Sequence, residues 1–188
     1  MLIYLEGKEI KYGGHVRIVY GMPGFSIWAV LERKGAREVT MPHAGLMDEG
    51  ALGSEAGLLQ RARLHIRGGR RRLRQGKVAA AFVTFYDALI VAMEWYFTSS
   101  ERTDRLVIRR DDNLKDDRVL YEVLVRSGVL DGGFDYVAFD HLIEDIIYDK
   151  ATEFDYESLR KEIESVMLQL GVMPFEEEEL PAEDPSTF

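Results

Sequence analysis

Seven arginines and one lysine fall within residues 61–77, "RARLHIRGGRRRLRQGK", without an acid among them, in a chain whose formal net charge is -9. A guanidinium is a planar fork of donors that fits phosphate and carboxylate oxygens, so this cluster reads either as an anion-binding surface or as the solvated, charged exterior of a bundle. The anion is RNA, an acidic protein partner, or the chain's own acidic end, since residues 140–188 hold fifteen Asp and Glu against three basic residues. At helical spacing Arg63, Arg67, Arg70, Arg71 and Arg74 gather on one side, opposite Leu58, Ala62, His65, Ile66, Gly69 and Leu73. The five are therefore expected to point outward, with Arg61 and Arg72 flanking His65 at the edge of the packing stripe. No aromatic residue interleaves the block, which argues against base stacking from this helix.

Acid/base chemistry has three candidates. Asp87 and Glu94 are the only charged residues in "VAAAFVTFYDALIVAMEWYF", residues 78–97, and seven positions apart they share a helix face. Carboxylates buried in so apolar a segment would have perturbed pKa values and could transfer protons beside His65. The competing and preferred reading pairs them with arginines of the preceding helix, and makes His65 a satisfied core or boundary residue. His141 with Glu144 and Asp145 has the i, i+3, i+4 spacing of a metal face, but these residues lie on the polar side of their helix, and no metal site is expected. His15 and His43 have no partner nearby in sequence. Walker, dinucleotide, G-x-S-x-G and HExxH patterns are all missing, and there is no cysteine. No cofactor is implied, and disulfide or cysteine-nucleophile chemistry is excluded.

The elements that must carry these residues change character along the chain. Residues 1–35 alternate as strands, "HVRIVYG" and "FSIWAVLER" around the turn "GMPG", and predict a small antiparallel sheet that needs a larger partner. Residues 36–53 read as a connector. Ser54 is a helix N-cap, Gly69 predicts a close approach of a second helix, and Gly76 ends the first. A basic block followed by twenty apolar residues has the outline of a signal anchor, but two central carboxylates would each cost about 2.5–3.5 kcal/mol in a bilayer. The segment is therefore expected at the core of a bundle, without membrane association. After a polar linker at 98–115, helices are predicted from Asp116 or Asp117 to Arg126, across "FDYVAFDHLIEDIIYDK", and from Asp155 to Gly171. The segment 172–188, rich in Pro and Glu, is expected to be extended or partly disordered.

The helix pair at 58–97 resembles the first helical hairpin of HEPN-type domains, carried by Leu59, Ala62, Leu73, Gly76, Ala80, Tyr86, Ala88 and Ala92. That resemblance implies a four- or five-helix up-and-down bundle, often dimeric, associated with RNA cleavage or with a partner nucleotidyltransferase. In the ribonuclease members an Arg precedes a His by four to six residues on a later helix. Here Arg61 and His65 have three residues between them and lie on the first helix, and no arginine stands at that distance before His141.

The expected fold is thus α+β and mainly α: a small N-terminal antiparallel β-sheet packed on an up-and-down bundle of about five helices over 54–171. The expected function is that of a cytoplasmic, non-catalytic binding or assembly module with an arginine face for RNA or an acidic protein. The alternatives are a HEPN-like ribonuclease or other hydrolase of toxin–antitoxin type, and a structural homo-oligomer such as a homodimer.

Overall fold

The structure is a computed structural model that describes residues 54–148, 150 and 153–182, together with the backbone of 17–19 and 28–30. Two units are present, one of residues 1–44 with 183–188 and one of residues 45–182. In the first, strands β1 (Arg17–Val19) and β2 (Trp28–Val30) pair antiparallel with Ile18 opposite Ala29. The rest of the expected sheet, and the connector up to residue 53, lie outside the described residues.

The second unit contains α1 (Ser54–Arg74), α2 (Val78–Tyr96), the short α3 (Ser100–Thr103), α4 (Asp117–Arg126), α5 (Tyr136–Ile147) and α6 (Tyr156–Gln169), followed by a 3-10 turn at Glu177–Glu179. The expected α+β class is corrected: this unit is an all-α bundle of six helices, with no strand among its described residues. Among the described residues its core is built from the helices together with the loop residues Leu130, Phe134 and Val172. Helix α2, apolar nearly all round, is contacted by α1, α4, α5 and α6, so its burial requires no sheet. Phe82, Phe85, Leu89, Val91 and Met93 of α2 are buried at 0–1% exposure. By length and composition α2 could cross a bilayer, and 67% of its apolar window is buried within the bundle.

Helices α1 and α2 form the central hairpin. Gly76 adopts φ +71°, a left-handed conformation that other residues reach only with strain. The turn closes with Gly76 N–H donating to the Leu73 carbonyl and Lys77 N–H to the Arg72 carbonyl, both at 2.9 Å. Further along, a Cβ on Gly69 would stand 2.4 Å from the Phe85 ring, so only glycine permits this approach. Three aspartates cap the later helices: Asp116, Asp135 and Asp155 accept from the backbone N–H groups of Arg118, Ala138 and Ser158. The polar linker before α4 is pinned by arginines. Arg102 donates to the carbonyls of Trp95 (2.9 Å) and Tyr96 (3.1 Å), and Arg126 bonds the Val107 carbonyl and the Asp112 carboxylate.

Candidate functional site

Arg63, Arg67 and Arg70 stand at i, i+4 and i+7 on α1, and the C-terminal segment 172–182 runs across them. Arg63 Nε donates to the Val172 carbonyl at 3.1 Å, and its guanidinium lies 5.5 Å from the centre of the Phe175 ring. Arg67 donates to the Pro181 carbonyl at 2.7 Å. Arg70 reaches Glu164 Oε1 of α6 at 3.3 and 3.1 Å and lies 3.8 Å from Glu177 Oε1. Val172 itself is fully buried. The described part of the acidic tail is therefore docked on the arginines, with backbone carbonyls, an aromatic ring and carboxylates as their partners.

The outward orientation expected of the five arginines is corrected for two of them. Arg67 and Arg71 are only 7% and 9% exposed, Arg63 and Arg70 are half-buried, and Arg74 alone is exposed. A two-sided helical wheel misplaces them because α1 packs along more than one face. Leu64, which precedes Arg67 and Arg71 by three and seven residues, is fully buried. Arg61, His65, Arg67, Arg71 and Arg72 all make further polar or electrostatic contacts, so none is a spare cation.

The three acid/base candidates do not converge on a described opening. His65 is buried at 4% exposure. Asp87 is half-buried in α2, with Arg61 and Arg72 of α1 as its neighbouring charges; burial pushes its carboxyl up to about 7, against the pull of these two arginines. Glu94, also half-buried, is likewise engaged. The two described recesses of the bundle are lined by other residues.

The first of these recesses, about 340 Å³, lies where α2, the start of α4 and α5 meet. Tyr86 Oη donates to Asp140 Oδ1 at 2.7 Å. Arg118 grips the other oxygen of Asp140 through Nε at 3.0 Å and a terminal nitrogen. Tyr136 is stacked between Tyr86 and Tyr121, with ring centres 6.4 and 5.1 Å away. Burial holds the Tyr86 and Tyr136 phenols well above their ordinary range. The Tyr136 hydroxyl, sealed from bulk solvent, is directed at that of Tyr86. Asp117 is pushed up to about 6, first by burial and then by the like charges of Asp116 and Asp140. A second recess of about 340 Å³ shares Arg118 and Tyr136 and is bounded by Gly132, Gly133 and Phe134. Among the described residues no group of three His, Asp or Glu side chains is placed to hold a metal ion.

The sequence offered one signal for this recess. A tyrosine on an apolar helix needs a polar partner for its hydroxyl, and Tyr86 on α2 finds Asp140 fifty-four residues on. Asp116 and Asp117 read in sequence as alternative helix caps; Asp116 is the cap, which leaves Asp117 free to turn toward the recess. No family model matches the chain, and no curated protein or solved structure shows significant similarity to it.

Proposed function

We propose that the chain is a cytoplasmic, non-catalytic binding or assembly module whose arginine face takes an extended acidic polypeptide, with its own C-terminal segment as the resident occupant. The supporting observation is the chemistry of the docked segment. Arg63 and Arg67 donate to main-chain carbonyls of the segment, Arg63 covers Phe175, and Arg70, held by Glu164 of α6, also lies 3.8 Å from Glu177 of the segment. Main-chain carbonyl acceptors, a phenyl ring and a carboxylate along one segment are what an acidic polypeptide presents to these arginines. Because the resident segment is tethered, it competes at high effective concentration, and an outside partner binds by replacing it. Weak edge contacts such as the 3.8 Å Arg70–Glu177 pair are suited to such exchange.

The test weakens the resident segment without touching the arginines. A chain carrying Phe175→Ala and Glu177→Gln is titrated with a fluorescent peptide of residues 173–188 and with a mixed-sequence RNA. The variant should bind the peptide more tightly than the unmodified chain, with an affinity that falls as salt rises. Tight RNA binding with no peptide binding would replace this reading by a nucleic-acid interface.

A further inference from the structure

We propose that the arginine face reads a sequence pattern in the polypeptide it holds: an aromatic side chain, a carboxylate two residues later, and a carbonyl six residues later that a turn brings back to the helix. This rests on the polypeptide-binding reading above and names the partner more closely. The observation that carries it is the unequal use of four consecutive glutamates. Glu176, Glu177, Glu178 and Glu179 bear the same charge, yet among the described contacts only Glu177 is half-buried and beside an arginine, 3.8 Å from Arg70, while the other three are exposed. Extended backbone alternates its side chains, so a chain that lays Phe175 against the bundle also turns Glu177 inward and Glu176 outward. Phe175 packs on the edge of the core, with its ring centre 5.5 Å from the Arg63 guanidinium. A face that attracted charge alone would leave the glutamates equivalent.

The three arginines have different tasks. Arg63 meets the ring and the Val172 carbonyl. Arg70 is gripped on one side, where its Nε and one terminal nitrogen donate to Glu164 Oε1, and the other oxygen of Glu164 is held by Arg160 at 2.7 Å. The remaining terminal nitrogen of Arg70 is the one that faces Glu177. Arg67, between the two on α1, donates to the Pro181 carbonyl at 2.7 Å. The segment thus meets Arg63, then Arg70, then Arg67, out of their order along the helix. From Arg70 back to Arg67 is about 4.5 Å along the helix axis, whereas four extended residues from Glu177 to Pro181 would span about 13 Å. The 3-10 turn at Glu177–Glu179 takes up the difference, with the Leu180 N–H donating to the Glu177 carbonyl at 3.2 Å. The partner that fits is an acidic peptide carrying the same ring, acid and turn.

A series of fluorescent peptides of residues 173–188 tests this by anisotropy against the full chain carrying Phe175→Ala and Glu177→Gln, whose own segment is weakened. Within the peptide, Phe175→Ala should weaken binding about tenfold, by loss of buried ring area and of the guanidinium contact, and Phe175→Tyr should not. Glu177→Gln should weaken it about threefold, as expected of a partly exposed ion pair. Glu176→Gln and Glu178→Gln should leave it unchanged. Adding Arg70→Gln to the protein should remove the discrimination at position 177 and keep that at 175; the peptide series decides the matter without this variant. Equal weakening by the three Glu→Gln changes, or no loss with Phe175→Ala, would overturn the pattern and leave a face that takes acidic polypeptide by charge alone. Failure of the unsubstituted peptide to bind would remove the polypeptide reading itself, and this inference with it.

Discussion

Asp87→Asn should stabilise the protein at alkaline pH and leave it unchanged in acid. The folded chain keeps a proton on Asp87 up to about pH 7, whereas the unfolded chain releases it near 3.8. Between these values the folded state binds more protons than the unfolded state, so this group lowers stability as pH rises from about 4 through about 7. A shift of about three units corresponds to at most about 4 kcal/mol. Asp87 is half-buried rather than sealed, and solvent at its edge reduces the expected figure to about 2 kcal/mol. Asparagine keeps the shape and removes the charge. Urea unfolding of both chains at several pH values should give coincident midpoints near pH 4 and an advantage of about 2 kcal/mol for the variant near pH 8. A variant less stable than the parent near pH 8 would refute the reasoning. It would mean that attraction to Arg61 and Arg72 outweighs the loss of hydration, and that Asp87 is a net stabilising partner of α1.

Gly69→Ala should destabilise by about 1–2 kcal/mol, because overpacking against the Phe85 ring exceeds the gain of about 1 kcal/mol in helix propensity. A double-mutant cycle with Phe85→Leu should show a favourable coupling in thermal melts, and additive effects would rule out the close approach as the cause. Arg102→Ala should cost about 2 kcal/mol, since it strips the Trp95 and Tyr96 carbonyls of a donor and uncovers the Trp95 ring, 4.1 Å beneath the guanidinium. Arg102→Lys should recover little of that loss in the same denaturant assay, because an ammonium lacks the planar fork. Asp155→Ala should cost about 1 kcal/mol through loss of the cap on α6, which Asp155→Ser should largely restore.

Local chemistry was legible where one residue type dictates one conformation. Ser54, Gly76, Asp155 and Gly171 mark helix ends in sequence and stand at or beside them in the structure. Gly69 announced a close approach, and Phe85 fills it. Long-range partnership was not legible, because it depends on which face meets which segment. The wheel put Arg67 outside, yet its donor is used by Pro181, 114 residues away. Asp87 of the apolar helix has Arg61 and Arg72 of α1 as its neighbouring charges, while the more open cluster joins Tyr86, Asp117 and Asp140 from three different helices. Periodicity finds a helix's apolar side; it cannot tell an arginine in water from one that holds a returning chain. The helical character of the bundle was legible from its periodicity; the α+β class came from the strand-like alternation of residues 1–35, most of which lie outside the described residues.

The most direct measurement follows the side-chain Nε–H resonances of Arg63, Arg67 and Arg70 by NMR while the full chain is titrated with the acidic peptide of residues 173–188. Saturable shifts at these three arginines, with faster amide exchange at residues 175–182 as the resident segment leaves, are the expected result. Shifts induced by RNA but not by the peptide, or a resident segment that stays protected while the peptide binds elsewhere, would contradict it.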